Sequence, residues 1–149
     1  MYKLIRHPLS NAVGISVFSL FYTAAFCVFA DRIGSQDYFM EASPFWRAWD
    51  SFLYAGGQRA IACVLLLLTV LAVALLLIRH KPYDEYHTAI LIKCLVVALL
   101  LTLAAIAAFF VVVLLHPTEA IGAVTFFVSL NWATVVLADL VYLILCGRK

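Results

Sequence analysis

The sequence predicts an all-α fold: a four-helix transmembrane bundle with a short interfacial amphipathic helix between its first two spans. Three observations carry this. Of 149 residues, 66% are hydrophobic and 12% charged, with a mean hydropathy of +1.08, whereas a soluble domain carries ~25% charged residues. The apolar residues gather in four runs, 11–30, 60–78, 90–115 and 120–145, each close to the ~20 residues that cross a ~30 Å hydrocarbon core as a helix. None of the runs alternates with period two, and a lone strand would leave its amides unpaired in hydrocarbon. The chain is therefore read as one integral membrane domain, 1–149. A soluble enzyme, a nucleic-acid-binding domain and a disordered tail are excluded.

The first run, NAVGISVFSLFYTAAFCVFA, exceeds the ~7–15 apolar residues of a signal peptide and is followed by no small-x-small cleavage site, so it is expected to stay as an anchor. In the segment 31–58, Ser43 can cap a helix that has Pro44 at its first position and ends at Gly56-Gly57, which predicts a helix over about 44–55. Phe45, Trp49 and Phe52 recur at i, i+4 and i+7, with Trp46 and Leu53 beside them. Such a helix is too short to span and carries the aromatics that favour headgroup depth. It reads as a membrane-surface strut, with a lid or a partner contact as the alternative.

The run 60–78 contains no charge, and the run 90–115 carries Lys93 near its start. Pro82, Asp84 and Glu85 suit a first helical turn, so the third span is expected to begin early and project from the membrane. Pro117 and Thr118 make a tight turn, and Glu119 falls where the next helix dipole favours an acid. Small residues at four-residue spacing, Ala104 with Ala108, Ala98 with Thr102 and Ser129 with Ala133, would permit close helix approach.

Four spans place both termini and the second connection on one side. That side holds seven basic residues, Lys3, Arg6, Arg79, Lys81, Lys93, Arg148 and Lys149, against Arg32, Arg47 and Arg59 on the other. The positive-inside bias puts the termini in the cytoplasm.

Asp139 is the residue that most clearly breaks the apolar rule. It lies inside the last run, where an isolated charge costs at least ~2.5 kcal/mol, so it should face the bundle, find a partner, or be protonated. Thr125, Trp132 and Tyr142 share its helical stripe, while Asn131 lies roughly 80° off it. Folding the last two runs into a hairpin brings Lys93 within about one turn of Asp139, but the two side chains lean apart, and snorkelling of Lys93 to the headgroups is the favoured expectation.

The cysteines, Cys27, Cys63, Cys94 and Cys146, fall one per span without a C-x-x-C and read as packing residues, with Cys146 as an alternative acylation site. His80, Asp84 and His87, and separately His116 with Glu119, supply too few converging ligands for a metal. No metal and no cofactor is expected, and no hydrolase, zincin or nucleotide-binding motif occurs.

The strings KPYDEYHTAILIK and LNWATVVLADLVYLI resemble small uncharacterised multi-span membrane proteins of Gram-positive bacteria. The likeness covers the C-terminal half, from Lys81 onward, and implies a bacterial plasma membrane. Three functional classes then follow. The leading one is a non-enzymatic accessory or scaffold protein whose partners are the lipid bilayer and another membrane subunit or a second copy. The rival is a small oligomeric transporter or channel in which Asp139, with Asn131 and Thr102, lines a proton or cation path. An interfacial lipid-modifying enzyme ranks last because no nucleophile stands beside a base.

Overall fold

In the computed structural model the described residues are 8–33, 43–78, 85–117 and 120–147. They form α1 (Pro8–Ile33), α2 (Pro44–Phe52), a π turn (Leu53–Gly57), α3 (Gln58–Ile78), α4 (Glu85–Leu115) and α5 (Ala120–Gly147). Four helices, with α2 and α3 counted as one, are long and apolar enough to cross a membrane. The expected runs lie inside these helices. At α1 the helix reaches outward to Pro8, because a proline at the first position has no orphaned N–H to satisfy. The expected earlier start of the third span, at Pro82 and Asp84, falls outside the described residues, as do Thr118 and Glu119.

α1, α3 and α5 pack mutually as a three-helix core, and α4 packs chiefly against α5. Burial follows that arrangement. In the most apolar stretch of α5, 39% of residues are buried, against 11% in α4, so α5 is the central helix and α4 the peripheral one. The seam between them uses Ala98 and Ala105 of α4, both buried, seven residues apart on one face. The Ala104 and Ala108 pair is exposed instead, since at 100° per residue Ala104 lies roughly 100–120° and Ala108 roughly 60–80° from the two seam alanines. Phe109 and Phe127 meet edge-on across the same seam at 5.8 Å.

The aromatic helix departs from expectation in two ways. Ser43 occupies the cap position, but its side chain makes no capping bond; its carbonyl accepts the Arg47 N–H at 2.9 Å. The helix ends at Phe52 rather than near 55, and the two glycines do not release the chain into a loop. Gly56 takes φ 99°, a left-handed conformation that only glycine adopts at no steric cost, and the chain kinks there and runs directly into α3. Gly57 is required for space. A Cβ there would lie 2.5 Å from the Phe52 carbonyl oxygen.

The two kinds of glycine respond differently to substitution. Gly57→Ala is expected to destabilise by ~1–3 kcal/mol through overpacking, whereas Gly14→Ala, in the interior of α1 with nothing within 4 Å of the new methyl, stabilises by up to ~1 kcal/mol. Unfolding curves of both variants in detergent micelles check this; equal effects would overturn the account of the turn.

Candidate functional site

Among the described residues, the polar groups buried in this apolar bundle are the candidates for chemistry or for specifying how the helices assemble. Ser19, Thr69, Thr88, Thr125, Ser129, Asn131 and Asp139 are all buried. In hydrocarbon an unpaired hydroxyl is costly, and a helix offers its own carbonyls as acceptors. Thr69 donates to Leu65 O, Thr125 to Gly122 O and Ser129 to Phe126 O, each at 2.8 Å. Hydroxyls held in this way serve as acceptors for other helices.

Four side-chain hydrogen bonds, at three places in the bundle, join different elements. At mid-bundle, Trp132 Nε1 of α5 donates to Ser19 Oγ of α1 at 3.2 Å, and Ser19 lies 3.1 Å from Thr69 Oγ1 of α3. Proton counting assigns the direction. The one hydroxyl proton of Thr69 goes to Leu65 O, so Ser19 donates to Thr69 and accepts from the indole. A single directed chain thus stitches all three core helices, around a fully buried Trp132.

The second place is the end where α5 begins. Trp49 Nε1 of α2 donates to Thr125 Oγ1 at 3.1 Å. Phe45, Trp46 and Trp49 stand edge-on to Phe126 at 5.6, 5.8 and 5.2 Å, a geometry that favours the positive ring edge over the negative face. Trp46 is buried and Trp49 half-buried in this cluster, while Phe45 and Phe52 are exposed. The aromatic helix is therefore clamped on α5.

The third place is at Asp139. Asn11 Nδ2 of α1 donates to Asp139 Oδ1 at 3.2 Å, and the carboxyl is only 3% exposed. Lys93, weighed as a partner from the sequence, is exposed on α4. The physical reason is angular: α5 turns Asp139 toward α1, where Asn11 meets it, while Lys93 stands on an exposed face of α4. Asn11 escaped the sequence reading because it opens an apolar run, where an asparagine looks like a headgroup residue. The available signal was topological, since antiparallel α1 and α5 bring the start of one beside the end of the other.

Among the remaining candidates, Tyr142 is fully buried in a cluster with Ala12, Ile15, Ala72, Leu76 and Leu91. Asn131 is buried, with its Oδ1 unbonded, and Thr102 is half-buried; no hydrogen bond joins either to Asp139. Cys27 and Cys63 are exposed rather than packed, and Cys94 is half-buried; the Cys146 side chain lies outside the description. Among the described residues no three His, Cys, Asp or Glu side chains are grouped to hold a metal. Two grooves open on the flanks of α3. One, of about 460 Å³, lies between α3 and α5 beneath Trp49, and the other, of about 450 Å³, lies between α1 and α3 over Ser16, Ser19 and Thr69.

No family model matches the chain, and no curated protein or solved structure matches it.

The directed chain makes an ordered prediction. Ser19→Ala leaves the buried Trp132 N–H without its acceptor and should cost ~1–3 kcal/mol, whereas Thr69→Val removes one exchangeable acceptor and should cost ~0.6 kcal/mol. In a double-mutant cycle, Ser19→Ala is then nearly silent in the Trp132→Phe background. Additive losses in detergent unfolding would remove the chain as a unit.

Proposed function

We propose that this protein is a small, non-enzymatic, multi-pass component of a bacterial plasma membrane that serves as an accessory or scaffold subunit for another membrane component. In this reading both termini lie in the cytoplasm, following the basic residues, and α2 sits at the outer headgroup layer with its exposed Phe45 and Phe52 against lipid. The bacterial setting rests on the resemblance of the segment from Lys81 onward.

The observation that carries the reading is the state of α4. A helix of 31 residues is held to the bundle chiefly along one seam, while Val96, Leu100, Leu103, Val111 and Leu114 on its far side are all exposed. Helices gain little hydrophobic driving force from one another inside a bilayer, so a peripheral span is not needed to close this core. It supports a role in contacting something else. The transporter reading draws on the buried Asp139, but Asn131 and Thr102, which would extend its path, do not hydrogen-bond to it.

Blocking the free face of α4 tests this. Ala107→Trp adds bulk to that face without entering the α5 seam, and Leu71→Trp on exposed α3 is the control. On gentle extraction of native membranes, the wild type and Leu71→Trp are expected to migrate with a second polypeptide at fixed stoichiometry, and Ala107→Trp to lose it. A chain that migrates alone or only with copies of itself, unchanged by Ala107→Trp, would overturn the accessory role.

A further inference from the structure

Asp139 is an acid enclosed at one end of the bundle, and its surroundings restrict what it can do. It stands eight residues before the end of α5 at Gly147. Among the described residues its hydrogen-bond partner is Asn11, half-buried, three residues from the start of α1. Toward the opposite end, the same stripe of α5 continues through Val136 and Trp132, each 0% exposed, and the Trp132 N–H is taken up by Ser19 rather than turned toward Asp139. The polar connection runs through Asn11 to the end of the bundle where α1 begins.

Among the described residues, the charged and titratable groups on the elements around this carboxyl are few. α1 offers none between Pro8 and Phe18, and α3 none between Leu65 and Ile78. From α4, Cys94 packs at the edge of the neighbouring apolar cluster; His87 is half-buried nearer the helix start, and Lys93 is exposed. From α5 itself there is Tyr142, one turn on. Nothing in this set is a cation paired with Asp139. A lone neutral amide donor does not offset the cost of burying a carboxylate in apolar surroundings, whereas a bound proton removes the charge altogether.

We infer that Asn11 and Asp139 form a one-ended proton-binding site that clasps α1 to α5 while it is loaded. On loading, a proton delivered by water at the end where α1 begins forms an O–H bond at Oδ2, and Oδ1 keeps the Asn11 N–H. On unloading, that bond breaks, the proton returns to water at the same end, and the carboxylate left behind draws water between the helices. The loaded state is the closed one, so the clasp weakens as pH rises. The inference is independent of the accessory role, which concerns the far face of α4.

The test uses the full chain in lipid nanodiscs across a range from mildly acidic to mildly alkaline pH. Infrared difference spectra of wild type against Asp139→Asn isolate the carboxyl of Asp139. A carboxylic-acid band is expected at acidic pH, fading on titration to alkaline pH, with the midpoint moved at least tenfold in proton concentration by Asn11→Leu. Asp139→Glu should restore the band, which guards against a misfolded Asn variant. Spin labels at the exposed positions Leu9 and Val141 report the clasp: their separation should grow with pH in the wild type and stay short in Asp139→Asn. Absence of the band at every pH, a midpoint indifferent to Asn11→Leu, or a separation that responds equally in both proteins would overturn the site.

Discussion

A polar group enclosed by apolar helices must find its partner inside the protein, and that constraint governs this bundle. Apolar side chains hold no orientation of their own against other apolar side chains or lipid tails, so packing of Leu, Val and Ala alone leaves many helix rotations close in energy. The chain from Trp132 through Ser19 and Thr69 to the Leu65 carbonyl removes that freedom. Each donor in it has one acceptor, and the three core helices are set in rotation and depth together.

The same logic separates the two sides of α5. Its polar stripe of Thr125, Trp132 and Asp139 meets α2 and α1 through side-chain hydrogen bonds. Its other face meets α4 through alanines and the Phe109–Phe127 contact. The hydrogen bonds of Trp132, Ser19 and Thr69 lie in the core, and the described contact of α4 with α5 is an apolar seam. A peripheral helix attached in this way can adjust to a neighbour without disturbing hydrogen bonds at mid-bundle, which is why the proposed partner-binding surface and the proposed proton site occupy different parts of the molecule.

How much was legible in the sequence differs by element. The four long helices were visible because length and hydropathy are local properties, and the helical stripe of Thr125, Trp132, Asp139 and Tyr142 follows from periodicity alone. The aromatic helix was visible up to its end. That Gly56 and Gly57 form a tight kink into α3, instead of a loop, depends on how Phe52 and Gly57 meet in space. Asp139 announced itself by its charge, yet Asn11 did not, because an asparagine near the start of an apolar run is ordinary there. Its role exists only once α1 lies antiparallel to α5.

What the sequence by itself determined is the elements: composition and uninterrupted apolar length mark the segments that form helices long and apolar enough to cross a membrane. The tertiary structure alone decided which faces meet. Ala98 and Ala105 form a seam while Ala104 and Ala108 do not, and Asp139 takes Asn11 in place of Lys93. Those outcomes turn on the rotation of each helix about its axis, and that rotation is chosen jointly by partners far apart in the chain, through hydrogen bonds that no single segment encodes.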